Sequence, residues 1–366
     1  MFYLGKHCAK QKTAGQNVYE NASEKLSSSL SASSDISIVV PAFNASATIE
    51  DCLDHVFRSD FHPFETIVVD DGSTDDTLAK ARRFSCQILQ TERNRGAAHA
   101  RNRGADRANA ELILFIDSDV LIPSDLLSRV RTFFDHHPDV SILQGCYDHK
   151  PYYRNLLSQY KHYIFSFRGL EPGDTHINYV HTACAAVRKD VFQKIRFDET
   201  LKRREDIEFG LRASQRGYKI FSDQTLIVRH KKLYDLISYT RYQVAAAYEV
   251  VFQQAAGRNK NFTQEFRSGK QPFYKKAWTL RPLLSLAVIV CFMFIGRLGN
   301  LFWLCFLGGM LALSIVLELP FRLYLARRAP IFVSAAACFL YFYDGLLIGL
   351  GAGWGLTQAL VGTGKR

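Results

Sequence analysis

The chain has 366 residues, 48% of them hydrophobic and 22% charged, which is enough for one large or two ordinary domains with their own cores. Its 46 Lys and Arg residues outnumber 35 acids, and the formal net charge of +11 favours anionic partners. Seven of these basic residues fall between Arg258 and Arg281, directly before an apolar region. That position is typical of a membrane-flanking segment and argues against a nucleic-acid partner. The eight cysteines show no zinc-finger spacing, which argues against a zinc module.

The chain opens with a polar segment, residues 1–35, which ends in a serine-rich stretch and lacks the continuous apolar core of a secretory signal. We expect a flexible tail on the cytoplasmic side. Over residues 36–230, short apolar runs alternate with helix-like segments. This pattern predicts an α/β domain with a mostly parallel, mixed sheet and flanking helices. The plainest strands are ISIVV, TIVVD and LILFID, and helices are expected over 46–59, 75–84, 96–109 and 123–135.

Two of the predicted strands run directly into acidic turns. One is followed by Asp70 and Asp71, and the other by Asp117 and Asp119. Residues two apart in an extended chain point the same way, so Asp117 and Asp119 offer two carboxylates at a strand's carboxyl end, where open α/β sheets bind ligands. Such a pair suits Mg²⁺ or Mn²⁺, which completes its shell with phosphate oxygens and water. The pattern therefore predicts a divalent cation that links the acidic rim to an anionic diphosphate.

Five ordered blocks between about residues 36 and 221 resemble the family 2 glycosyltransferases of the GT-A fold. The blocks are SIVVPAFNASATIEDCL, VVDDGSTDDT, NRGAAHARNRG, LFIDSDV and FDETLKRREDIEFGLRASQRGYKI. The resemblance implies a Rossmann-like GT-A domain over 36–230, a nucleotide-diphospho-sugar donor and a divalent metal cofactor. Uridine as the base of the donor is an expectation taken from the family.

The resemblance also implies roles for individual residues. Glu205 and Asp206 match the family's acidic pair, in which the second acid, here Asp206, is the catalytic base. Asp119 is the favoured metal ligand, with Asp117 beside it. The positions implied to bind the donor are Pro41, Ala42, Asn44, Asp70, Asp71, Arg101, Asp117, Ser118 and Glu205.

In this interpretation, an acceptor hydroxyl attacks the anomeric carbon of the donor sugar while Asp206 takes its proton, and the anomeric centre inverts. Considered alone, Asp206 could equally begin the helix IEFGLRAS, where the helix dipole favours a carboxylate. The basic residues before it, Lys202, Arg203 and Arg204, either hold an anionic group or form a solvated turn.

A strongly apolar region begins near residue 281. Residues 281–297, 300–319 and 331–356 are predicted to be transmembrane helices, since each approaches the roughly 20 residues that cross a bilayer. The third apolar segment extends to residue 362, which leaves a tilted single span and a broken or re-entrant span both open.

The third apolar segment contains Asp344, and a carboxylate at the centre of a bilayer costs roughly 2.5–3.5 kcal/mol on insertion scales. We therefore expect Asp344 to be paired, protonated or turned toward protein. Arg322, Arg327 and Arg328 precede the segment and place their loop, with the large domain, in the cytoplasm. Glycines that would allow close helix packing follow Asp344, and they are Gly345, Gly349, Gly351, Gly353 and Gly355.

Residues 231–280 form a juxtamembrane segment between these regions. Its first part, 231–254, has apolar and aromatic residues at helical spacing, so it either lies along the membrane surface or packs on the soluble domain. Processive polysaccharide synthases that resemble this family carry a QxxRW motif here. This chain has only YTRYQ at 239–243, with Tyr242 where a Trp would be sought.

The sequence therefore favours transfer of one sugar to a membrane lipid or lipid-linked glycan at the cytoplasmic face of the inner membrane, as in cell-envelope glycan synthesis. Anchoring would confine enzyme and acceptor to one surface. One alternative is a processive synthase subunit that needs a partner membrane subunit for its pore. An alternative of another class is a scaffold that binds nucleotide sugars without turnover.

Overall fold

The computed structural model of the protein describes residues 35–169, 175–255, 280–298 and 301–363. The tail predicted over residues 1–35 lies outside the described residues apart from Asp35, and so does most of the basic stretch before Arg281. Strands and helices are numbered below in chain order.

One nine-stranded mixed sheet organises the first two thirds of the described chain. Its strands are β1 (Ile36–Ala42), β2 (Phe64–Asp70), β3 (Gln87–Gln90), β4 (Leu112–Ile116), β5 (Val120–Leu121), β6 (Val140–Tyr147), β7 (Thr175–Ile177), β8 (Cys184–Arg188) and β9 (Lys219–His230). Their order is β3-β2-β1-β4-β8-β6-β9-β5, with β7 paired to β9. The strands β3, β2, β1 and β4 run parallel, and β8 lies antiparallel between β4 and β6. The predicted mixed α/β sheet is confirmed.

Helices cover both faces of the sheet and continue beyond it. They are α1 (Ile49–Phe57), α2 (Thr77–Ala81), α3 (Ala97–Arg107), α4 (Leu126–His136), α5 (Leu156–Gly169), α6 (Lys189–Lys194), α7 (Glu205–Gln215), α8 (Leu236–Ala255), α9 (Arg281–Leu298), α10 (Leu301–Arg328) and α11 (Ile331–Thr363). The first four lie within the ranges expected from the sequence, apart from one extra residue at the end of α4.

The central strands are buried on both faces, which explains their continuous apolar runs. In β1, Ile38 and Val40 join the core on one face of the sheet, and Val39 joins the core on the other. Helices α1 and α4 cover the first face, while α3 and α7 cover the second. Gly104 lets α3 approach β1 closely, because a Cβ at this position would collide with the Val39 side chain.

Two of the described helices, over Leu304–Arg328 and Ile331–Val361, are long and apolar enough to cross a membrane, whereas the described apolar part of α9 is shorter. Helix α11 is continuous, so the broken span has no counterpart here. Helix α10 continues through Pro320 to Arg328, beyond the predicted end at residue 319. Its last turns are held by packing, since Phe321 and Tyr324 contact Phe167 of α5.

Asp344 is fully buried and paired, as expected. One carboxylate oxygen accepts hydrogen bonds from the Tyr239 hydroxyl at 2.6 Å and from the Gln243 amide at 2.8 Å. The other lies 3.5 Å from the Arg281 guanidinium, which also pairs with Glu318. A buried carboxylate persists when such partners satisfy it. The acid therefore joins α11 to α8 and α9.

The five glycines of α11 differ in how closely another helix approaches them. A Cβ at Gly351 or Gly355 would collide with the backbone of α8, and one at Gly345 would collide with α9. Gly349 meets Pro282 at an ordinary 3.5 Å, and Gly353 has no neighbour within 4 Å among the described atoms. Close packing is thus confirmed at three of the five glycines. Helix α8 packs on α11, which neither of the two placements left open for residues 231–254 had anticipated.

Candidate active site

The turn after β1 and the turn after β2 are locked to each other. Asn44 has a positive φ of 47°, a conformation that asparagine adopts more readily than most residues. Its N–H donates to the Ser73 hydroxyl at 2.9 Å, and its Oδ1 accepts the Thr74 N–H at 2.9 Å. The Asp71 N–H donates to the Ala42 carbonyl at 2.8 Å. The two turns predicted to hold the nucleoside therefore form one unit.

The two acids at the end of β2 have different surroundings. Asp71 accepts the N–H groups of Arg95 at 2.9 Å and Gly96 at 2.7 Å, and the Thr91 hydroxyl at 3.0 Å. Its carboxylate therefore anchors the loop that leads into α3. Asp70 Oδ1 accepts one long bond from the Ser73 N–H, whereas its buried Oδ2 has no partner among the described atoms. Asp70 is thus the acid with an acceptor left for a ligand.

Arg101, on α3, joins the second acidic turn to the predicted acidic pair. Its guanidinium donates to Asp117 Oδ1 at 2.7 Å and to Glu205 Oε1 at 2.6 Å, and its side chain is 5% exposed. Asp117 follows β4, and Glu205 begins α7. The resemblance placed Arg101 near the nucleotide; the structure adds that it connects the two acidic motifs.

The second acid of the DSD triplet, Asp119, has two basic side chains beside it. Lys232 Nζ lies 3.0 Å from Asp119 Oδ2, and His230 Nε2 lies 3.5 Å from Oδ1. Burial alone would raise the pKa of Asp119, but these two neighbours outweigh it and hold the pKa well below its usual range. Neither Lys232 nor His230 was predicted from the sequence to lie near Asp119. They reach Asp119 because β9 pairs antiparallel with β5, with His230 opposite Val120.

The side chains at the carboxyl ends of these strands indicate whether a divalent cation could bind there. Within the described ranges, no group of three or more His, Cys, Asp and Glu side chains forms a complete metal site. Mg²⁺ and Mn²⁺ bind through one or two carboxylates plus substrate phosphates, and Asp117 and Asp119 provide that number. The residues thus fit a cation that shares its shell with a diphosphate.

The predicted base lies at the start of α7. Asp206 Oδ2 is 3.7 Å from His181 Nδ1, and Oδ1 accepts the Ile207 N–H at 2.8 Å. Burial alone would raise the pKa of Asp206, but the neighbouring His181 side chain, the charge of Arg101 and the hydrogen bond from the Ile207 N–H bring it below its usual range. For the adjacent Glu205, burial dominates and raises the pKa. Asp206 is therefore held as the carboxylate.

Backbone strain marks the same place. Arg204, immediately before the acidic pair, has a φ of 62°, a left-handed conformation that is unusual for a residue with a long side chain. Such residues persist where the surrounding structure holds them, and they cluster at functional sites. The strained backbone at Arg204 therefore indicates that the surrounding structure holds the start of α7 in place.

The remaining predicted residues lie on the same rim of the sheet. Pro41 and Ala42 end β1, and the parallel register sets Ala42 beside Asp70 of β2. Ser118 is half-buried in the turn between β4 and β5. The parallel strands β1, β2 and β4 thus bring their carboxyl ends to one edge, as the sequence indicated.

Comparisons with known proteins agree with this architecture. Residues 37–196 match the sequence model described as Glycosyl transferase family 2. A PGL/p-HBAD biosynthesis glycosyltransferase of Mycobacterium bovis is 35% identical over 115 residues, which cover 30% of this chain and 45% of the relative. The poly(ribitol-phosphate) β-N-acetylglucosaminyltransferase TarS of Staphylococcus aureus is 34% identical over 116 residues, covering 30% of this chain and 20% of the relative. The chain thus spans less than half the length of the curated relatives it matches.

One solved structure is similar over most of the chain. The mannosyltransferase PcManGT of Pyrobaculum calidifontis, in complex with GDP-Man and Mn²⁺, has a TM-score of 0.53 and covers 90% of this chain and 88% of its own. At 19% sequence identity this likeness concerns the fold alone. Residues 37–196 thus form a glycosyl transferase family 2 domain, and the sheet that they build has the fold seen in this GT-A neighbour.

Proposed function

We propose that this protein is an inverting glycosyltransferase that moves a sugar from a nucleotide-diphospho-sugar, with uridine as the expected base, to a hydroxyl or phosphate of a membrane lipid or lipid-linked glycan. The observation that carries the proposal is the pairing of Arg101 with both Asp117 and Glu205. One guanidinium thereby contacts both the acidic turn suited to a diphosphate-bound cation, through Asp117, and the acidic pair suited to proton transfer, through Glu205. An inert domain has no need of that arrangement.

Donor binding is supported by the locked turns after β1 and β2. Asp70 has a buried oxygen without a partner among the described atoms, and such an atom is stabilised by a donor N–H or O–H from a ligand. Asn44 and the main chain around Pro41 border the same turns. The M. bovis and S. aureus relatives are named as glycosyltransferases, and the archaeal neighbour holds GDP-Man, so a nucleotide sugar is the ligand class we propose.

Proton transfer is assigned to Asp206. The carboxylate accepts the proton of the acceptor hydroxyl as the hydroxyl oxygen bonds to the anomeric carbon and the nucleoside diphosphate leaves. His181 stabilises the carboxylate from one side, while Arg101 balances Asp117 and Glu205. A divalent cation held by Asp117 and Asp119 would supply positive charge for the leaving diphosphate when bound. A single displacement inverts the anomeric centre.

A membrane acceptor is supported by the helices that follow the catalytic domain. Helices α10 and α11 have the length and composition of membrane spans, and Arg322, Arg327 and Arg328 lie at the end of α10 nearest the catalytic domain. Basic residues of that kind favour the cytoplasmic side. We therefore place the active site at the cytoplasmic face of the inner membrane, where a lipid acceptor is concentrated on the same surface.

The proposal is tested with the full chain in detergent or lipid nanodiscs. Nucleotide sugars that differ in base and sugar are screened for stabilisation of the protein to heat, since a ligand of the native state raises the unfolding temperature. Stabilising donors are then incubated with a membrane lipid extract, and labelled sugar is followed into the lipid phase. We expect one donor class to stabilise the protein and to label a lipid. Stabilisation without any transfer would instead support a binding scaffold.

Orientation is tested separately in sealed inner-membrane vesicles of known sidedness. Protease added to the cytoplasmic side should remove the catalytic domain and abolish transfer. Cleavage from the opposite side alone would reverse the proposed topology. Products carrying long sugar chains would favour the processive alternative over single transfer.

A further inference from the structure

The ring of Tyr242 on α8 faces the turn that carries the predicted base. The Arg203 guanidinium lies 5.0 Å from the centre of this ring, and the Lys161 ammonium of α5 lies 4.4 Å from it. Cations at these distances from an aromatic ring are attracted to it. Arg203 is three residues before Asp206, so the catalytic turn, defined here as residues 202–206, rests on α8.

The surface that supports the ring is itself fixed. Lys161 donates to the side chain of Gln243, the residue next to Tyr242. Gln243 and Tyr239 in turn donate to the buried carboxylate of Asp344 on α11. A hydrogen-bonded buried network of this kind holds its members in one arrangement. Tyr242 therefore projects from a helix that is anchored on two sides.

The catalytic turn needs such support. Arg204 lies in the left-handed region at φ 62°, between the residue that contacts Tyr242 and the acidic pair. A strained residue relaxes unless its neighbours hold it. If Arg203 were released, the turn could relax and carry Asp206 away from its place, and displacement of about 1 Å can cost on the order of 100-fold in rate.

We propose that Tyr242 is a positioning residue, whose ring holds Arg203 and thereby sets the place of Asp206. The inference rests on the proposed function for its activity measurement, although its structural measurement does not. It also gives a role to the YTRYQ stretch, which the sequence analysis left without one. The membrane-anchor helix α11 becomes part of the support of the active site, through Asp344.

The test compares Tyr242→Leu with two other variants. Tyr242→Phe keeps the ring, and Tyr248→Leu removes an aromatic ring two turns further along α8, where the ring packs on Phe252 and Trp354. We expect Tyr242→Leu to lower kcat by about 10- to 100-fold with donor affinity nearly unchanged. Tyr242→Phe should retain most of the wild-type kcat, and Tyr248→Leu should have the wild-type kcat.

A second measurement is independent of turnover. Amide hydrogen exchange of residues 202–206 should become faster in Tyr242→Leu and stay unchanged in Tyr248→Leu. Adding Arg203→Ala to Tyr242→Leu should lower kcat no further, because both changes remove the same contact.

Wild-type exchange and wild-type kcat in Tyr242→Leu would overturn the proposal. So would equal losses of heat stability and kcat in the two leucine variants, which would mean that Tyr242 only packs. If the wild-type protein transfers no sugar, the proposed function fails. The positioning role is then decided by exchange alone, and it is rejected if exchange at residues 202–206 in Tyr242→Leu equals that in the wild type.

Discussion

Arg101 and Glu205 are separated by 104 positions in the chain, yet the guanidinium of Arg101 donates to the carboxylate of Glu205 across 2.6 Å. The same guanidinium bonds Asp117 at 2.7 Å, so one side chain of α3 determines the spacing of the two acidic motifs. Charge-assisted bonds of this length are strong and directional. The geometry of the candidate site therefore depends on a residue that lies in neither motif.

Replacing Arg101 with Met should destabilise the catalytic domain by about 3–5 kcal/mol, because it leaves Asp117 and Glu205 buried or half-buried without their cation. Unfolding of the domain followed by heat or urea measures the loss. Arg83→Met is the matched control, since Arg83 pairs with Glu50 on the exposed surface and exposed pairs contribute about 0–1 kcal/mol. Equal effects of the two changes would contradict the role given to Arg101.

Asp206→Asn should reduce transfer by about 100- to 10,000-fold, the usual contribution of a general base, because the amide cannot accept the acceptor proton. Donor binding should be nearly unchanged, as measured by heat stabilisation with the nucleotide sugar. Asp198→Asn serves as the control, since that half-buried carboxylate lies in the preceding turn and accepts its hydrogen bonds from Thr200. Transfer at the wild-type rate in Asp206→Asn would assign the proton to another group.

The pH dependence of kcat should show no acid limb between about pH 5 and pH 8, because the pKa of Asp206 is held below the usual aspartate value of about 3.9. A base with a lowered pKa stays ionised until the pH falls through that lowered value, so activity is lost only in stronger acid. His181→Ala removes the neighbour that lowers this pKa and should move the acid limb to higher pH. If the acid limb stays at the same pH in that variant, the limb does not report the ionisation of Asp206.

Chelation of divalent cations should abolish transfer, and Mg²⁺ or Mn²⁺ should restore it. Asp119→Asn should raise the cation concentration needed for half-maximal activity by at least about tenfold, since it removes one charged ligand. Asp125→Asn, which changes the exposed residue immediately before α4 that pairs with Arg129, should leave this concentration unchanged. Full activity in excess chelator would mean that Lys232 and other side chains supply the positive charge for the diphosphate.

Gly351→Leu should lower the unfolding temperature of the full chain, because the new side chain would collide with α8 at Val244 and Ala247. Overpacking of this kind costs about 1–3 kcal/mol. Gly353→Leu offers a control on the same helix, because that position has open space around it in the described structure. A similar loss in both variants would contradict the close packing of α8 on α11.

Local signals in the sequence predicted the sheet and its acidic rim. The strands around Val39, Val68 and Leu114 are apolar and β-branched, and each is followed by turn residues. Because parallel strands end at one edge, the positions of Asp70 and Asp117 could be assigned to that edge before any contact was known. The sequence also predicted that Asp344 would be paired, protonated or turned toward protein, and the structure shows it paired.

Long-range contacts account for what the sequence did not predict. Lys232 and His230 reach Asp119 only through the pairing of β9 with β5, and no local pattern encodes that register. Asp71 has the same motif context as Asp70, but only the fold shows that its oxygens anchor the loop before α3. Helix α10 passes Pro320 and its predicted end at residue 319 because tertiary packing overrides local propensity.

The hydrogen bonds from Tyr239 and Gln243 to Asp344 join two parts of the chain that lie about one hundred positions apart. A shortened protein that stopped after α8 would retain all of the candidate catalytic acids, but Tyr239 and Gln243 would lose the carboxylate that accepts their hydrogen bonds. Expression of the chain only as far as α8 would thus yield a domain in which the helix behind Tyr242 lacks its support from α11.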